Sequence, residues 1–436
     1  MIGAILKLIS NFREPATDKV KTKMKLFRKP MIRDLSVSLG AAFLLLTVAY
    51  LMRSSFHGKP FWFLFLLGFF LGVGCIVFTS TAWLRKLQLL ATSLFFGLAL
   101  VEIGLIFTAW AHEGPSASYL KSDCALADWY DADTDLGYQP VPGMTARFSH
   151  HHLGQVNYNV VYHIDDYGQR LTRGNSEGDA VIFFGCSFTF GEGVEDEETL
   201  PSVVSRLTGY EYDVVNYGFS GWGPHQMLRI LETKQEANRV RGKVKHVIYS
   251  MIGKHVSRCA GKTFWDFSGP KYQLTPQLDV EYQGPFLKSA ISVFPLVMNR
   301  SWAGTFLLKT YSERYQETDA DYELQRQILV KSANLLRERY HAPLSIMVWP
   351  IRDRERHQRL IKSLAAPVYE VIDTANYPGV EELRQCKIPH DNHPSAAAYE
   401  MLGPWLIERL SLEPAESTKD DVDMKDGLDG AGGDSP

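Results

Sequence analysis

Hydrophobic positions along this chain fall into two regimes. The first quarter carries three apolar runs, over 35–52, 61–84 and 87–110. Each is near the length of about 20 residues that a helix needs to cross a bilayer. Trp62, Trp83 and Trp110 lie near the ends of these runs, where amphipathic rings prefer to sit. After residue 110 the pattern changes. Residues 111–155 are polar and rich in Asp, Pro and Gly, as in a linker with extended pieces, and 158–164 alternates like a half-buried strand. From about 179, short apolar runs alternate with helical segments. The strands predicted are 180–185, 212–217, 245–251, 344–349 and 367–372, and the helices include 224–236 and 319–340. That alternation predicts an α/β fold, a parallel sheet covered by helices on both faces.

Charge orients the membrane segments. Lys7, Arg13, Lys19, Lys21, Lys23, Lys25, Arg28, Lys29 and Arg33 precede the first run, and Arg85 and Lys86 lie between the second and third. Basic loops stay in the cytoplasm, so an odd number of spans places the rest of the chain outside. Arg53 and Lys59, in the first loop, weaken the asymmetry slightly. The organisation expected is a basic cytoplasmic segment (1–34), three transmembrane helices (35–110), a linker and lead-in strand segment (111–178), one α/β domain (179–412) and a disordered acidic tail (413–436). The location expected is the inner (cytoplasmic) membrane, with the domain periplasmic or extracellular. Glu102 lies inside the third run, where a carboxylate is costly and faces a bundle interior, a partner membrane protein or water near the outer surface.

Composition alone hides this segregation. The chain is 45% hydrophobic and 22% charged with a net charge of −3, which is ordinary for a soluble protein and gives no reason to expect a nucleic-acid partner. Four of the five cysteines, Cys124, Cys186, Cys259 and Cys386, fall after the apolar runs, where disulfides can form. Cys259 and Cys386 are expected near the same end of the sheet, either bridged or as two buried thiols. No zinc-like Cys/His spacing is present. His150, His151 and His152, with His163 nearby, read as a solvated loop, because adjacent side chains diverge and cannot all face one ion.

Candidate chemistry gathers at the predicted strand ends. Ser187 stands two residues after the strand 180–185. There it either caps the following helix or offers a nucleophile on rigid backbone. A serine nucleophile needs a base, a group to orient the base and oxyanion donors. His393 is the candidate base, with His390 a near competitor, and Asp391 on the same loop is placed to fix the imidazole tautomer. The Ser187 and Gly218 N–H groups are the candidate oxyanion donors. His255, after the third strand, is either a side-chain donor or a surface histidine.

In order, these blocks resemble the SGNH (GDSL-type) hydrolase superfamily over roughly residues 135–410. Gly185-Cys186-Ser187-Phe188-Thr189 resembles its nucleophile block, and Asn216-Tyr217-Gly218-Phe219-Ser220-Gly221 its oxyanion glycine block. Gly253-Lys254-His255 resembles its Gly-x-Asn block, and Asp391-Asn392-His393-Pro394 its Asp/His block. The resemblance implies a three-layer α/β/α, flavodoxin-like domain and serine ester chemistry on acylated carbohydrates, lipids or similar substrates, with no cofactor and no metal. Three departures stand out. Cys186 replaces the usual Asp beside the nucleophile, and His255 stands at the asparagine position. Asp391 is one residue closer to His393 than the common spacing, which resembles the alginate O-acetyltransferase branch.

The expected function is a membrane-anchored serine esterase acting on acyl, foremost acetyl, esters outside the cytoplasm. Two alternatives remain: an O-acyltransferase modifying an envelope glycan, and a non-catalytic glycan-binding or assembly protein on the same fold. Three spans are more than a tether needs, which hints at partners among envelope polysaccharide proteins. Trp265, Phe267, Tyr272 and Tyr282 either stack on sugar rings or form a packed cap.

Overall fold

The structure is a computed structural model. It describes residues 130–286 and 302–413, apart from 153, 154, 241 and 264, together with scattered positions between 82 and 104. The chain divides into two compact units. One comprises Met1–Thr108 and Val297–Phe306, the other Ala109–Leu296 and Leu307–Pro436.

In the first unit, the expected spans over 35–52 and most of 61–84, the basic N-terminus and Glu102 lie outside the described residues. Residues 85–90 and 92–94 are helical, and Leu87, Leu89, Leu90 and Leu94 are exposed. Among the described residues, no helix is long and apolar enough to cross a membrane. The tail beyond Glu413 and Cys124 also lie outside the described residues.

Among the described residues, the second unit contains eleven strands: β1 (Tyr130–Asp133), β2 (Gly137–Pro140), β3 (Thr145–His152), β4 (Gln155–His163), β5 (Ala180–Gly185), β6 (Asp213–Gly218), β7 (Val244–Met251), β8 (Pro270–Leu274), β9 (Val280–Pro285), β10 (Leu344–Val348) and β11 (Glu370–Asp373). Its helices are α1 (Ser187–Phe190), α2 (Leu200–Leu207), α3 (Pro224–Thr233), α4 (His255–Cys259), α6 (Asp319–Tyr340), α7 (Arg354–Ser363), α8 (Val380–Gln385) and α9 (Ala396–Arg409), while α5 (Trp302–Arg314) begins in the first unit and ends in the second. Five strands form one parallel sheet in the order β11-β10-β7-β5-β6. The chain runs outward from β5 to β6, then returns to the other side of β5 with β7. The reversal makes the end of β5 a topological switch point, where open α/β sheets hold ligands.

β5 is apolar throughout because both of its faces are covered. Ile182 and Phe184 pack in one core with Met227 and Ile230 of α3 and Leu329 and Leu336 of α6. Val181 and Phe183 pack in the opposite core with Val203 and Val204 of α2 and Leu402 and Leu406 of α9. The three-layer arrangement thus follows from alternate side chains of one strand. The predicted strand 180–185 coincides with β5, and the other four predicted strands overlap β6, β7, β10 and β11.

Two antiparallel hairpins precede the sheet, β1 with β2 and β3 with β4. Strand structure therefore begins well before the predicted 158–164. β4 covers most of the predicted 158–164, while its polar partner β3 is held by cross-strand pairing, such as Phe148 stacked on Tyr162 and His150 on Tyr158, which hydrophobic periodicity does not register. His150 to His152 are strand residues rather than a loop. A third hairpin, β8 with β9, buries Tyr272 and Val280 against Leu228 of α3 and Ile328 of α6. Tyr272 is therefore part of a packed cap.

Candidate active site

Gly185 and Gly218 are register partners at the carboxyl ends of β5 and β6. A Cβ on Gly185 would sit 2.0 Å from Thr189 Oγ1, and one on Gly218 would sit 2.4 Å from the backbone nitrogen of Phe190. The missing side chains let α1 lie directly on the two strand ends. Asn216, fully buried in β6, ties the arrangement together. Its Nδ2 donates to the Thr189 carbonyl at 2.9 Å, and its Oδ1 accepts from the Gly218 N–H at 2.9 Å.

Ser187 opens α1 at the β5 switch point. Its hydroxyl lies 2.8 Å from His393 Nε2, and His393 Nδ1 lies 2.6 Å from Asp391 Oδ1. Asp391 Oδ1 also accepts the His393 backbone N–H at 3.0 Å, so a spacing of two residues is enough to bring carboxylate and ring together. The loop is closed by Ile388 N–H to the His393 carbonyl at 3.0 Å and Ser395 N–H to the Cys386 carbonyl at 3.1 Å. It is tied to the serine helix by Tyr399 of α9, whose hydroxyl donates to the Phe188 carbonyl at 2.8 Å. His390 is exposed on the same loop with φ 55°, and the imidazole that reaches Ser187 is that of His393.

Burial opposes charge on Asp391, but its hydrogen bond and electrostatic attraction to His393 prevail and hold its pKa below the ordinary value. An ionised Asp391 only accepts hydrogen bonds, so Nδ1 of His393 carries the proton and Nε2 is free to accept from the Ser187 hydroxyl. Burial likewise opposes charge on His393, yet Glu192 and Asp391 together hold its pKa above the ordinary imidazole value. Glu192 Oε2 lies 3.8 Å from His393 Nε2 and accepts from the Ser220 hydroxyl at 2.6 Å. Two carboxylates thus flank one imidazole. Proton transfer from Ser187 would create an imidazolium that both stabilise.

The expected donors are distributed differently. The Gly218 N–H is occupied by Asn216. His255 is neither a surface histidine nor open to the crevice. It is completely buried in α4, and its Nδ1 lies 2.9 Å from the Tyr249 hydroxyl. Burial first, then Arg258 and His225, depress its pKa well below the ordinary value. The backbone N–H groups without a protein partner among the described residues include those of Ser187 and Gly221. Gly221 has φ 82° and follows Ser220, the residue bonded to Glu192.

Arg170 went unnoticed in the sequence. Its guanidinium is buried between the rings of Tyr162 and Phe190 and donates to the carbonyls of Phe190, Gly191 and Val194 at 2.9–3.1 Å and to Asp196 at 2.6 Å. It fixes the turn that carries Glu192. No spacing signal reveals it, because three of its partners are backbone carbonyls and the fourth, Asp196, lies 26 residues away. Cys186, Cys259 and Cys386 are free thiols. Among the described residues, no three His, Cys, Asp or Glu side chains gather as a metal-holding group.

No family model matches the chain, and no curated protein matches it. Among solved structures it is similar to a protein from Desulfitobacterium hafniense DCB-2 assigned to the lipolytic G-D-S-L family. The identity is 16% and the TM-score 0.32, over 53% of this chain and 99% of that one. It is also similar to a gut microbial diltiazem-metabolizing enzyme, at 16% identity and a TM-score of 0.30, over 55% of this chain and 48% of that one.

Proposed function

We propose that the 179–412 domain is a serine-dependent esterase of the SGNH type that works through an acyl-Ser187 intermediate. The observation that carries the reading is the continuous chain of short contacts from Asp391 through His393 to Ser187. His393 takes the Ser187 proton as the oxygen attacks an acyl carbonyl, and it returns that proton to the leaving alcohol. Water, activated by the same imidazole, then frees the acid. The unpaired Ser187 N–H, with that of Gly221 in place of the expected Gly218, is the donor set assigned to the oxyanion. Glu192 assists by stabilising the imidazolium. The apolar runs before residue 110 and their basic flanks support a membrane-anchored domain working outside the cytoplasm.

An O-acyltransferase shares the same acyl-serine and differs in the acceptor. The test uses the whole chain purified in detergent. It should hydrolyse phenyl acetate and be labelled at Ser187 by a fluorophosphonate. Absence of both turnover and labelling would leave the binding-module alternative. Acetylated oligosaccharide formed in preference to free acetate would turn the reading to transfer.

A further inference from the structure

Beside Phe188 the crest of the sheet opens into a cleft of about 280 Å³. It lies over the carboxyl ends of β7 and β10 and against the loop that carries His393, with Asn392 and Pro394 in its wall. Its apolar surface is preorganised. The ring of Phe188 meets Trp349 edge-on at 5.4 Å and His393 at 5.5 Å, and Trp349 Nε1 donates to the Ser250 hydroxyl at 2.9 Å. A group in this cleft is therefore one ring away from the base.

The charged lining is of one sign. Lys254, Arg352, Arg356, Arg384 and Lys387 contribute to it, and no Asp or Glu does. Arg356 pairs with Glu317 and Arg384 with Glu381. Lys254, Arg352 and Lys387 have no carboxylate partner among the described residues. Lys387 is half-buried, and burial, followed by repulsion from Arg352, lowers its pKa. Unpaired like charges around a partly desolvated cleft oppose folding and favour capture of an anion.

We propose that this cleft is the subsite for an anionic group on the substrate, a phosphate or carboxylate carried on a ring or other apolar body, with the ester itself at Ser187. The aromatic floor takes the apolar body, and Lys254, Arg352 and Lys387 take the charge. The inference rests on the esterase reading above for the position of the ester, but not for the binding of the anion.

The experiment compares the whole chain in detergent with the triple variant Lys254→Gln/Arg352→Gln/Lys387→Gln. The first arm measures kcat/KM for 4-acetoxybenzoate, 4-acetoxyphenyl phosphate and neutral phenyl acetate. The anionic esters should be favoured on the order of tenfold over the neutral one, and the triple variant should bring that ratio to about one. Preference for one anionic ester identifies a carboxylate or a phosphate as the natural group. A ratio near one in the parent chain, or a ratio unchanged in the variant, overturns the proposal. The second arm measures binding of benzoate and phenyl phosphate by calorimetry and needs no turnover. If no ester is hydrolysed but an anion binds and the variant loses it, the subsite stands and the esterase reading falls. If neither anion binds the parent chain, the subsite falls whatever the turnover.

Discussion

His393 Nε2 meets the Ser187 hydroxyl at 2.8 Å across a sequence separation of 206 residues. The serine is delivered by β5, an interior strand of the sheet, and the histidine by a loop that follows the far edge strand β11 and α8. Neither segment alone defines the pair. Asn216, under α1, and Tyr399, between α9 and α1, hold the two together from below and from the side.

Substitutions in this chain of contacts should abolish turnover without unfolding the domain. Ser187→Ala should remove fluorophosphonate labelling altogether. His393→Ala should lower kcat/KM on the order of 10⁴-fold and Asp391→Asn on the order of 10³-fold, and the double variant should lose little more than the worse single one. Wild-type turnover in Ser187→Ala would remove the serine from the mechanism.

Activity should depend on pH through His393, which acts as a base only when neutral. Its folded pKa is raised, with Glu192 the largest raising influence. The rate should therefore fall as pH drops through that raised value. Glu192→Gln removes the influence, so the acid limb of the kcat/KM profile should move to lower pH. An acid limb that stays in place, or moves upward, contradicts the role given to Glu192.

Arg170→Met should destabilise the domain by about 3 kcal/mol, because it strips donors from buried carbonyls and leaves Asp196 without its guanidinium. Urea denaturation of the two proteins measures the difference. A shift below about 0.5 kcal/mol would show that water or another side chain replaces those bonds.

A methyl group on Gly218 has no room, since the nearest atom is backbone nitrogen rather than a flexible side-chain end. Gly218→Ala should cost about 3 kcal/mol and tilt α1. Fluorophosphonate labelling of Ser187 should slow even in the fraction that remains folded. Unchanged labelling kinetics would mean that α1 adapts without moving the serine.

Much of this architecture was legible in one dimension. β5 is a continuous apolar run because both faces of the sheet are covered, and Gly185 and Gly218 mark the ends of β5 and β6 because α1 leaves no space for a side chain. Ser187, Asp391 and His393 stood out because each follows a recognisable strand end or shares a short loop. The lead-in hairpins were less visible: alternation over 158–164 marked β4, but its partner β3 is polar and depends on cross-strand pairs. Gly218 and His255 illustrate a different limit. Both lie in the expected blocks, but the Gly218 N–H is claimed by a side chain two residues away, and His255 turns inward to Tyr249.

The sequence by itself determined the α/β alternation, the switch-point serine and the Asp391–His393 pair, because periodicity, strand ends and short spacings are local properties of the chain. Only the tertiary structure decided which backbone donors remain free, that Glu192 joins Asp391 in flanking the imidazole, and that Arg170 pins the turn that carries Glu192. It also gathered Lys254, Arg352 and Lys387 around one cleft from three separate segments. Hydrogen bonds and charges act through space, and packing brings together groups whose distance along the chain carries no trace of that contact.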